Sequence, residues 1–125
     1  MVNFKKIKGD ASFREFFRKK NKKYTSIVVY ARKEKFKNLL IYDAINKVFI
    51  RNRILAPKLY KENYKKNFIE IEDFGNISLF RVLKNKKNNK YLFFKKIINL
   101  LNKLQKIKTK KIKNFLNQSY KLELY

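Results

Sequence analysis

Over residues 13–18, "FREFFR", side chains alternate with a period of two. Phe13, Glu15 and Phe17 fall on one face and Arg14, Phe16 and Arg18 on the other, as in a strand. Residues 24–31, "YTSIVVYA", are β-branched and aromatic, and form the clearest strand in the chain. Residues 4–8 read as a short edge strand, and the stretch 19–23 between the two stronger strands as a charged turn. Together these segments predict an antiparallel meander. Residues 67–74, "NFIEIEDF", alternate cleanly and make the last strand, which Gly75 and Asn76 break. A further short strand is predicted over 58–61, followed by a turn in "NYKKN".

The period changes elsewhere. Residues 40–53 follow helical spacing, with Ile41, Ile45, Val48 and Phe49 sharing a face, and Pro57 ends any helix before it. Residues 32–38 are polar, a loop or a helix start. After Gly75 the pattern predicts helices only. There is a short one over 78–84, then a break at "NKKNN", then a long amphipathic helix over 91–108. Its stripe is Phe94, Ile97, Leu101 and Leu104. Strands around one helix, followed by helices, predict an α+β fold. The boundary lies near Gly75, with residues 1–75 as one unit and 76–125 as the start of another.

Composition narrows the chemistry. The chain has 125 residues, no cysteine and no histidine. Disulfides, thiolate or imidazole metal sites and the commonest general base are therefore excluded. No apolar run approaches the roughly 20 residues of a membrane span, and a signal-peptide core is absent from the N-terminus. The expected location is the cytoplasm. Net charge is +25, a field that attracts polyanions. Most of that charge is lysine spread along the whole chain, in a sequence also rich in asparagine and isoleucine, the skew of an A/T-rich coding region. Interleaved aromatics and cations, as in "FREFFRKKNKKY", also suit stacking against bases. A small basic protein that binds nucleic acid or acidic surfaces is thus the alternative reading.

Three stretches, in this order, carry a more specific signal: "GDASFREFFR" at 9–18, "YDAINKVFIRNRILAPKLYK" at 42–61 and "NFIEIEDFGNISLFRVL" at 67–83. They resemble the aminoglycoside phosphotransferase-like kinases. The closest branch is that of the bacterial sugar kinases that phosphorylate N-acetylmuramate and N-acetylglucosamine at the anomeric position in cell-wall recycling. "SYKLELY" at 119–125 resembles the start of a later helix of that family. The resemblance implies a protein-kinase-like small lobe, with an antiparallel sheet of about five strands and one helix, followed by the first helices of the large lobe. It covers only the front part of the family's domain.

By spacing alone, Gly9 and Asp10 make a tight hairpin. The resemblance turns that hairpin into a cover for the ATP phosphates, formed by Gly9, Asp10, Ala11, Ser12, Phe13 and Arg14. Gly9 allows close backbone approach, Ser12 brings a hydroxyl and Arg14 a cation. The adenine is expected against the main chain of Ile71, Glu72 and Asp73, with Val28 as an apolar neighbour. The cofactors implied are ATP and magnesium, and the acceptor a sugar hydroxyl. Tyr30 stands about where kinases carry their phosphate-holding lysine, a departure that fits the sugar-kinase branch. The family's catalytic aspartate loop and later metal-binding aspartate are absent, so magnesium ligands are expected outside this chain. The chain alone is expected to be inactive.

Overall fold

The computed structural model describes residues 3–7, 13–32, 37–108, 112–113 and 119–120. Five strands, β1 (Asn3–Ile7), β2 (Arg14–Lys20), β3 (Thr25–Ala31), β4 (Leu59–Asn63) and β5 (Phe68–Glu72), form one sheet in the order β1-β2-β3-β5-β4. Every neighbouring pair is antiparallel. β5 lies between β3 and β4. The chain leaving β3 therefore skips a position before returning, and the helix α1 (Lys37–Arg51) occupies that crossing. The molecule is α+β, an antiparallel sheet with a helix inserted after its third strand, followed by α2 (Leu79–Lys84) and α3 (Lys90–Gln105).

Pleating gives the sheet two unlike faces. Ile27, Val29, Ala31, Ile69 and Ile71 are buried on one face and pack with Leu39 of α1, joined by Ile7, Phe16, Tyr42 and Leu59. α1 is buried on a second side as well, where Ala44, Val48 and Ile54 meet Ile107 beyond the end of α3, flanked by Phe49 and Leu104. Being covered on two sides, α1 does not follow a single stripe. Ile41 is exposed and Ile45 half-buried, whereas Leu39, Leu40 and Ala44 are buried. Asp43 is buried too, and its carboxylate is paired at 2.6 Å with Lys47 one turn on.

Several boundaries move for physical reasons. β2 runs on through Lys20 where a charged turn was expected, because Lys19 pairs with buried Glu70 across the sheet at 2.9 Å. Along α3, Phe93, Ile97 and Leu104 are the half-buried positions, while Phe94 and Leu101 are about half exposed. Only the C-terminal end of α3 has α1 to pack on. After α3 the chain is not purely helical. Ile112–Lys113 (β6) pairs antiparallel with Ser119–Tyr120 (β7), and β6 lies beside α1. The helix start expected at 119 is therefore a strand at Ser119 and Tyr120, and its remainder, 121–125, is outside the described residues.

Asn67 ends the 3-10 turn Tyr64–Lys66 in the left-handed region, with φ 60° and ψ 34°. Its N–H donates to the Tyr64 carbonyl at 3.1 Å and its carbonyl accepts from the Ala31 N–H at 2.9 Å. Asparagine tolerates this conformation and a β-branched residue does not. Asn67→Gly is expected to leave the urea midpoint nearly unchanged, whereas Asn67→Val lowers stability by about 1–2 kcal/mol.

Candidate functional site

At the end of the sheet where β5 leaves it, beside α1 on the buried face, a pocket of about 400 Å³ opens. Ile7 of β1, Phe16 of β2, Ile27 of β3 and Ile71 of β5 supply apolar walls. Pro57 closes one edge, and residues 72–78, running from β5 toward α2, form the rim. The walls follow from the register, which brings Ile27 opposite both Arg18 and Ile71 and so sets residues from successive strands side by side. The rim turns because Gly75 takes φ +81°, a conformation that L side chains rarely adopt.

One side chain organises that rim. The Arg18 guanidinium reaches from β2 and donates from Nε to Asp73 Oδ2 at 2.7 Å and from Nη2 to Asp73 Oδ1 at 2.9 Å. It also donates to the Gly75 carbonyl at 3.0 Å and to the Asn76 side-chain oxygen. Asp73 in turn accepts the Gly75 N–H at 2.9 Å. Its side chain is only 4% exposed and that of Arg18 21%. Burial pushes the Asp73 carboxyl up, but the hydrogen bonds from Arg18 and Gly75 and the guanidinium charge outweigh it and hold the carboxyl below its ordinary value. The planar fork thus ties β2 to the segment after β5 with matched geometry. Glu72 adds a second brace. Its N–H donates to the Lys58 carbonyl at 2.9 Å, and its carboxylate accepts the Lys58 N–H at 3.2 Å.

The structure brings together some of the residues expected at a nucleotide site and separates others. Ile71, Glu72 and Asp73 all line this pocket. Val28 does not. It faces the opposite side of the sheet, where it lines a different depression, and the strand's alternation puts Ile27 in the place expected of Val28. Phe13 is exposed just ahead of β2. Arg14 lies at the start of β2 on the α1 side, 5.3 Å above the Tyr42 ring. Gly9, Asp10, Ala11 and Ser12 lie outside the described residues.

Sequence reasoning missed the wall residues Ile7, Phe16 and Ile27, and also Arg18, Asn76 and Pro57. A signal for Arg18 was present. An arginine that shares a strand face with Phe16 is desolvated if that face is the packed one, and a desolvated guanidinium demands a carboxylate partner. For magnesium, the residues present do not fit. Asp73 is committed to Arg18 and Asp43 to Lys47, and no group of three carboxylates among the described residues is placed to hold a metal ion. Among the described residues no helix is long and apolar enough to cross a membrane. Comparison of the chain with protein-family models, curated proteins and solved structures gives no match.

Proposed function

We propose that this chain is the nucleotide-binding lobe, with the first helices of the adjoining lobe, of a phosphotransferase that moves the γ-phosphate of ATP to a sugar hydroxyl. The observation that carries the proposal is the pocket at the β5 exit. It is apolar on the walls contributed by β1, β2, β3 and β5, and is rimmed by the connection between sheet and helices. A flat heteroaromatic base suits such a slot, sandwiched by aliphatic side chains with main-chain groups at one edge. The strand order supports the same reading, because it sets β1 beside β2 and so brings Ile7 and Phe16 together as pocket walls.

In this reading residues 1–75 hold the nucleotide and 76–125 begin the catalytic lobe. Ile7, Phe16, Ile27 and Ile71 enclose the base. Arg18 is a positioning residue that fixes the rim through Asp73. The turn containing Gly9 and Ser12 covers the phosphates. Phosphoryl transfer is largely a matter of positioning and charge stabilisation, and this chain supplies the nucleotide half of that positioning.

Calorimetric titration of the full chain with ATP tests the reading. Binding is expected, and Ile27→Trp, which fills the slot, is expected to weaken it at least about tenfold, while circular dichroism shows the fold retained. Absence of ATP binding, or equal binding by a folded Ile27→Trp variant, overturns it. The chain alone is expected not to phosphorylate N-acetylmuramate or N-acetylglucosamine, and ATP-dependent turnover of either sugar by the pure chain contradicts that expectation.

A further inference from the structure

The other face of the sheet, turned away from α1, carries a separate site. Phe4, Phe17, Val28, Tyr30 and Phe68 line a depression of about 480 Å³ there. Phe4 is 55% exposed and Tyr30 37%, while Phe17 and Phe68 are half-buried. At one end of this face Tyr24 is 52% exposed and meets the Tyr60 ring edge-on at 6.5 Å.

The charges on this face are arranged in a particular way. The two glutamates that line the depression are neutralised from within. Glu70, almost fully buried, is bound by Lys19 at 2.9 Å and by the Ser26 hydroxyl at 2.6 Å. Glu15 is paired with Lys6, whose ammonium also lies 5.8 Å from the Phe17 ring centre. Lys61 adds a further cation to the lining. Exposed lysines then flank both ends of the strands, Lys22 and Lys23 between β2 and β3, and Lys65 and Lys66 in the 3-10 turn before β5. The face is a row of aromatic surfaces between two positive ends, on a chain of net charge +25.

Aromatic surfaces take the planes of unstacked bases, and cations at both ends of the row follow a phosphate backbone. A duplex keeps its bases stacked on each other and cannot use the rings. We infer that this outer sheet face binds single-stranded nucleic acid, with bases stacking on Phe4, Phe17 and Tyr30 and phosphates running toward the flanking lysines. A seven-residue strand spans about 23 Å, room for a site of roughly four nucleotides. The surface is separate from the pocket at the β5 exit, so the inference does not depend on that pocket's occupant.

The test is fluorescence anisotropy of the full chain with a labelled oligothymidylate of about ten nucleotides at near-physiological salt, beside a duplex of the same length and heparin. The single strand is expected to bind more tightly than either competitor. Intrinsic tyrosine emission is expected to be quenched on binding, since the chain has eight tyrosines and no tryptophan. The exposed double variant Phe4→Ala with Tyr30→Ala is expected to lose about tenfold in affinity with an unchanged slope against salt. Lys22→Gln with Lys23→Gln should lower that slope. These substitutions are at exposed positions, and circular dichroism establishes that each variant is folded. ATP at saturation is expected not to displace the strand. Equal binding of single strand, duplex and heparin overturns the inference, as does full affinity in the folded aromatic variant. Either result leaves only the general attraction of a cationic chain for polyanions.

Discussion

Replacing Arg18 with methionine is expected to lower stability by about 2–4 kcal/mol, because Asp73 is then a buried carboxylate without its counter-charge. Methionine keeps much of the aliphatic stem, so the loss reports the guanidinium rather than a void. Arg18→Lys is expected to restore only part of it, since an ammonium cannot match both carboxylate oxygens, the Gly75 carbonyl and the Asn76 side chain together. The effect carries a pH signature. Folding depresses the Asp73 carboxyl below its ordinary value. A depressed carboxylate contributes stability above its unfolded value of about 4, and that contribution is lost as pH falls through the folded value. The gap between wild type and Arg18→Met should therefore be full at neutral pH and shrink in acid. Urea midpoints measured across that range decide the matter. Equal midpoints at neutral pH would show that the clamp contributes nothing. The same variant is expected to increase amide exchange over residues 73–76, a readout that general destabilisation of the sheet does not single out.

A larger loss is expected from the core. Ile69 is fully buried in β5, opposite Val29, where β3, β5 and α1 meet. Ile69→Ala removes apolar contact and leaves a cavity that flanking strands cannot collapse into, at a cost of about 3–5 kcal/mol. Small domains have about 5–15 kcal/mol in total, so the variant is expected to lie close to unfolding at room temperature. Ile69→Val should cost about 0.5–1.5 kcal/mol. Ile77→Ala, at a position 84% exposed, should be close to neutral by comparison. Thermal melts of the three variants test this ordering. A folded Ile69→Ala variant as stable as Ile77→Ala would mean that the sheet does not depend on this contact.

The local signals in the chain were strongest where one residue pattern had one physical cause. The alternation in 13–18 and 67–74 marks strands with one face on α1, and Ile69 and Ile71 lie on that face. The β-branched and aromatic run of 24–31 marks a central strand, paired on both sides. β5 stops at Glu72, ahead of the break expected at Gly75, and Gly75 instead supplies the positive φ of the turn that follows. Patterns with two causes were harder to read. α1 is covered by the sheet on one side and by the end of α3 on another, so a single stripe through Ile41 and Ile45 misplaces its buried surface. The stripe expected along α3 is half exposed because, among the described residues, only those near its C-terminal end meet α1. The pairing of β6 with β7 spans two residues a side, too few to leave a period.

By itself the sequence determined the element order as far as α3, the α+β class, the absence of cysteine and histidine chemistry, and the location of Ile71, Glu72 and Asp73 at the end of a strand. Each follows from local periodicity, composition or a conformational demand that a few adjacent residues express. Only the tertiary structure decided that Ile27 rather than Val28 faces the pocket, because a one-residue change of register moves every side chain to the other face. It also decided that Arg18 meets Asp73, a contact between residues 55 apart in the chain. Strand pairing brings them together, and nothing in the local sequence of either records the distance to the other.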